Sequence, residues 1–93
     1  MQLTVLKPGE EILRATVEQV TLPGAAGQIT PMEGHDRLLS TTDGGPMYFY
    51  RADVEEPVKE EYEISPGIMD VMPDSVVLFV EDAKRIKGGD IEG

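Results

Sequence analysis

Seven prolines and ten glycines punctuate this chain of 93 residues. No stretch between them is both long and helical in period. Proline removes a backbone donor and breaks helix interiors, so helices have little room here. The intervals are filled instead by alternation with a period of two. Leu3 and Val5, with Lys7 in step, alternate with Gln2, Thr4 and Leu6 before Pro8-Gly9 turns the chain. Leu13, Ala15 and Val17 share one strand face, with Arg14, Thr16 and Glu18 on the other. The apolar phase then slips: Val20 and Leu22 agree with each other but not with Val17. A β-bulge produces such a slip, and so would two separate short strands. Pro23-Gly24 closes the run, and Gly24-Ala25-Ala26-Gly27 reads as a tight hairpin turn.

The second half repeats the pattern. Met47 and Phe49 stand opposite Tyr48 and Tyr50, and Tyr62 and Ile64 resume the alternation after residues 52–61, a charged connection around Pro57. Pro66-Gly67 interrupts, Ile68 to Met72 continues, and Pro73-Asp74 is a turn signal. Val76-Val77-Leu78-Phe79-Val80 is apolar on both faces, which predicts a central strand covered on both sides. Turns at intervals of about 8–12 residues predict an all-β fold, a sandwich or a barrel.

Composition removes several classes of function. Ninety-three residues support one modest core. With 18 acidic and 8 basic side chains the formal net charge is -10, a field that repels nucleic-acid phosphates and anionic lipid. A basic or neutral protein surface is the expected partner. The lack of cysteine excludes a disulfide framework and thiolate metal sites, and fits a reducing compartment. Lys7, Glu10, Glu11, Arg14 and Glu18 leave no apolar core for a signal peptide. The longest uncharged apolar run, Val76 to Val80, falls far short of the roughly 20 residues that span a bilayer. No direct membrane insertion is expected, and any membrane association must pass through a partner.

No catalytic set emerges. There is no Gly-Lys pair for a phosphate loop and no dinucleotide fingerprint. Glu33, His35 and Asp36 are potential metal ligands within four residues, but sequence neighbours in a turn seldom converge on one ion, and no metal is expected. His35 could serve Ser40, Ser65 or Ser75 as a base, yet none lies in a nucleophile elbow. Glu55, Glu56, Glu60, Glu61 and Glu63 read as a solvated charge run, and Lys84, Arg85 and Lys87 as a solvated tail. The residues alone describe a small acidic β domain that acts by being bound.

One ordered set of residues carries a resemblance. Val17-Glu18-Gln19-Val20, Gly24, Gly27-Gln28-Ile29, Gly34-His35, Leu38-Leu39 and Gly45 follow in order. Ser65-Pro66-Gly67-Ile68-Met69-Asp70-Val71, Pro73-Asp74-Ser75-Val76, Ala83 and Asp90-Ile91 complete it. The set resembles the amino-terminal domain of the epsilon subunit of F-type ATP synthases over residues 1–91, leaving 92–93 as a C-terminal end. The resemblance implies a flattened β-sandwich of about ten short strands. It implies a non-catalytic, cofactor-free subunit of the central stalk, peripheral on the cytoplasmic face of the energy-coupling membrane. Such a subunit links gamma to the polar loops of the c-ring and couples proton or sodium translocation to ATP synthesis. Gly27, Gln28 and Ile29 are then expected at the c-ring, and Lys7, Glu33, Gly34, His35, Asp36 and Arg37 at gamma. Glu33, Asp36 and Arg37 replace the family's usual prolines and alanine, Gln28 its usual acidic residue, and Pro66 a glycine. The helical hairpin found in many members is expected to be absent, with no hairpin-type inhibition of ATP hydrolysis. The competing reading is a stand-alone β-sandwich binding module for a peptide or small ligand, with His35 and residues 52–61 as its rim.

Overall fold

The computed structural model describes residues 1–31, 34, 36–52, 54–56 and 58–87. Nine strands run through them, with no helix: β1 (Gln2–Lys7), β2 (Glu10–Gly24), β3 (Gly27–Ile29), β4 (Leu38–Thr42), β5 (Gly45–Arg51), β6 (Lys59–Ile64), β7 (Gly67–Met72), β8 (Ser75–Val80) and β9 (Ala83–Lys87). The strands form one hydrogen-bonded path, β4-β7-β8-β1-β2-β5-β6-β9, with β3 added to the far end of β2. All pairings are antiparallel except β1 with β8.

The phase slip explains how one path becomes a sandwich. β2 is a single 15-residue strand. Its first half pairs with β1 and its second with β5. Val17 opposes Arg51 and Gln19 opposes Tyr50, so Glu18 is the extra residue of a bulge. A bulge bends and twists the strand that carries it. Here it hands β2 from a first layer (β4-β7-β8-β1) to a second (β5-β6-β9). Of the two sequence explanations, the bulge is the one realised.

Alternation delivers the core between the layers. Leu3, Val5, Leu13, Ala15, Val17, Met69, Val71, Val76, Leu78 and Val80 enter it from the first layer, and Val20, Leu22, Met47, Phe49 and Ile64 from the second. Phe49 stacks on Tyr62 with ring centroids 6.0 Å apart. Thr42 is a buried polar residue with both roles satisfied: its hydroxyl donates to the Pro23 carbonyl and accepts from the Gly44 amide at 3.0 Å. That bridge ties the edge strand β4 to the end of β2. Gly67 starts β7 so close to β8 that a Cβ there would run into the Phe79 carbonyl and lie 3.0 Å from the Val80 Cα.

Three sequence expectations change. β8 is central in its layer, but only one of its faces is covered. Val76, Leu78 and Val80 are buried while Phe79 stands 46% exposed, because nothing in the described chain packs on the outer face. The acidic run is not all solvated, since β6 begins at Lys59 and turns Glu60 inward. The basic cluster lies on β9, the edge strand beside β6, rather than in a tail.

Candidate interaction surfaces

The exposed face of the first layer holds a continuous apolar row. Ile68 pairs with Phe79 across β7 and β8, and Phe79 with Leu6 across β8 and β1. Ile68 is 47% exposed. With Lys7, Pro8 and Glu81 these side chains line a groove of about 500 Å³. One row along, Leu39 on β4 sits opposite Asp70 on β7 and is 62% exposed. Arg37, just before β4, grips Asp70 with both ends of its fork: Nε donates to Oδ1 at 3.0 Å and Nη2 to Oδ2 at 2.9 Å. Paired hydrogen bonds from a guanidinium favour the charged carboxylate. Asp70 is accordingly held below its ordinary pKa by its hydrogen bonds to Arg37, and Arg37 raised above its own. The pair pins the chain leading into β4 onto the exposed face.

The β2–β3 hairpin forms a second surface. Gly24 pairs with Gly27, as a tight turn requires, and Gly27 and Gln28 are exposed. Ile29 is half-buried and packs against the core, so it anchors the hairpin. Gln28 Nε2 donates to the Tyr48 hydroxyl of β5 at 3.3 Å, and the Thr21 and Thr30 hydroxyls meet at 2.9 Å. The hairpin is thereby held to the second layer.

A third polar feature is an ion pair between β5 and β6. Arg51 Nε donates to Glu60 Oε2 at 2.5 Å, with the Glu60 side chain 8% exposed and the Arg51 guanidinium 5.8 Å from the centre of the Phe49 ring. The sequence carries its signal, because Glu60 is in phase with the inward Tyr62 and Ile64. The acidic neighbours mask it.

The expected gamma contacts separate as follows. Lys7 lines the groove, with its Nζ 3.7 Å from the Glu10 carboxylate. Gly34 donates its amide to the Pro73 carbonyl at 2.7 Å and has φ +88°, which favours glycine. Asp36 is exposed, and Arg37 shares the outer face of the first layer with the groove. Glu33, His35, Asp90 and Ile91 lie outside the described residues. The expected c-ring residues Gly27, Gln28 and Ile29 are on a different element, joined to the second layer. Among the described residues, the two expected contact sets thus lie on different elements.

Fold and surfaces together define a small β-sandwich domain, with an apolar row open on one layer and a polar hairpin beside the other. A sequence model described as the ATP synthase delta/epsilon chain beta-sandwich domain matches residues 1–86, and the chain belongs to that family. It is 32% identical over 90 residues to the ATP synthase epsilon chain of Persephonella marina, covering 97% of this chain and 64% of that one. With the epsilon chain of Bordetella petrii it shares 33% over 85 residues, 91% of this chain and 58% of that one. The chain thus spans roughly three-fifths of the length of these curated relatives. Its fold matches a chain in the central stalk and c-ring structure of Tetrahymena thermophila mitochondrial ATP synthase (TM-score 0.71, 15% identity, 89% of this chain and 64% of that one). A chain in the Euglena gracilis mitochondrial ATP synthase structure matches equally (TM-score 0.72, 22% identity, 89% of this chain and 51% of that one).

Proposed function

We propose that the chain is the non-catalytic rotor domain of an ATP synthase, seated between gamma and the c-ring on the cytoplasmic face of the membrane. In this reading it passes torque between them and so couples proton or sodium translocation to ATP synthesis. The observation that carries the reading is the open row Leu6–Phe79–Ile68. These three side chains lie side by side on one layer's outer face with Leu39 one row along, a contiguous apolar surface of the kind that protein covers. Lys7 and Arg37 flank that row, and both belong to the expected gamma contact. Gamma therefore covers the first layer, and the c-ring loops meet the hairpin at Gly27–Ile29.

Such an arrangement separates the two partners onto two layers joined by one strand. β2 runs from the gamma layer through the Glu18 bulge to the hairpin, giving a continuous backbone path for force. The test is coupled ATP synthesis in membrane vesicles that contain the rotor with and without this chain. Loss of synthesis without the chain, restored on adding it, is the expected result. Failure to bind gamma, with full synthesis in its absence, would instead favour the stand-alone binding module.

A further inference from the structure

The outer face of the second layer holds a concavity beside the hairpin. Tyr48 and Tyr50 project from it two residues apart on β5, opposite Thr21 and Gln19 of β2. Glu18, displaced by the bulge, completes the wall, and the five residues enclose about 310 Å³. Glu11, Glu60 and Asp70 each hold an arginine, but Glu18 has no ion pair among the described residues. From the other flanking strand, the Lys59 ammonium lies 4.5 Å from the centre of the Tyr48 ring, so this aromatic surface already receives one cation. Gln28 joins the hairpin to the same tyrosine through its bond to the hydroxyl. The concavity is therefore continuous with the hairpin.

Its chemistry selects a cation. Tyrosine rings attract positive charge over their faces, and a carboxylate at the rim adds a counter-ion. The field of a chain with net charge -10 has the same preference. A guanidinium suits the site better than an ammonium: it is planar, weakly hydrated, and can stack on a phenol while it hydrogen-bonds a carboxylate.

We propose that the Glu18–Tyr48–Tyr50 concavity receives an arginine side chain from the partner loop that docks at the Gly27–Ile29 hairpin. The proposal rests on the reading that this partner is the c-ring. The bulge then has two uses: it bends β2 between layers, and it places a carboxylate at the mouth of the cation site.

Two experiments test it together. In the first, the labelled chain is titrated with N-acetyl-arginine amide and, as a neutral mimic of the same shape, N-acetyl-citrulline amide. Amide signals of Glu18, Gln19, Tyr48 and Tyr50 should shift with the arginine compound and about fivefold less with citrulline, and Glu18→Gln should erase the difference. Equal responses, or shifts centred on Leu39 and Ile68, would overturn the proposal. In the second, binding to the detergent-solubilised c-ring is measured at several salt concentrations. Glu18→Gln and Tyr50→Leu should each weaken it about three- to tenfold at low salt, and the Glu18→Gln gap should close as salt rises. If Gln28→Arg weakens ring binding while Glu18→Gln and Tyr50→Leu do not, the docking reading stands and the proposal falls. If the native chain does not bind the ring at all, the docking reading and the proposal fall together.

Discussion

Truncating Phe79 to alanine separates the proposed docking role of the exposed row from its structural role. Phe79 is 46% exposed, so about 90 Å² of a side chain that buries about 200 Å² remains to be covered by a partner. At about 25 cal/mol per Å², covering it contributes roughly 2 kcal/mol, or about a 30-fold change in Kd. The half already packed on the sheet costs the fold about 2 kcal/mol when removed, taking half of the usual phenylalanine-to-alanine range. A domain with a stability of about 5–15 kcal/mol stays folded through that loss. Binding of purified gamma by calorimetry should therefore weaken about 30-fold, while the circular dichroism spectrum at room temperature stays unchanged. An unchanged Kd with an intact fold would refute the assignment of this face to gamma.

Other perturbations address separate parts of the account. Glu60→Ala should lower stability by about 1–2 kcal/mol in a urea titration, because it takes the carboxylate from a largely covered Arg51; the solvated-loop reading predicts no change. Gly67→Ala should lower the melting temperature and cost about 1–3 kcal/mol, since its methyl would displace β8. The carboxyls of Asp70 and Glu11 are both held low by guanidinium hydrogen bonds from Arg37 and Arg14, so the unfolded chain takes up their protons first as pH falls. Their stabilisation is present above the ordinary carboxylate range and disappears as pH drops through the folded values. Melting temperature against pH should fall on that acid limb, less steeply in Asp70→Asn. A Gln28→Arg change should leave the melting temperature unchanged and weaken c-ring binding by like-charge contact if the ring's loops are basic, which a binding titration on the solubilised ring would show.

The alternation of small strands was legible in the sequence because each buried face obeys a strict period of two. Leu13, Ala15 and Val17, then Val20 and Leu22, show even the slip. What they cannot show is which partner strand resolves it, and the opposition of Arg51 and Tyr50 to Val17 and Gln19 does so. Phe79 departs from expectation for a physical reason: a run apolar on both faces has the same pattern whether its outer face is covered or, as here, left open. Glu60 shares the inward phase of Tyr62 and Ile64, but its charge is indistinguishable in sequence from that of its solvated acidic neighbours. The Gly27–Ile29 turn and the Lys7 and Arg37 positions are expectations of the family resemblance, and the partners assigned to them are proposals. The groove could not be named from the chain, because it joins residues from β1, β7 and β8 that only the register brings together.

The central claim is that one sandwich holds two rotor partners on separate surfaces. Native mass spectrometry of this chain mixed with purified gamma and c-ring tests it most directly. The account predicts a ternary complex with one copy of the chain, from which Phe79→Ala removes the gamma contact and Gln28→Arg the ring contact, each independently. A complex that both changes weaken equally, or that does not form with the native chain, would contradict it.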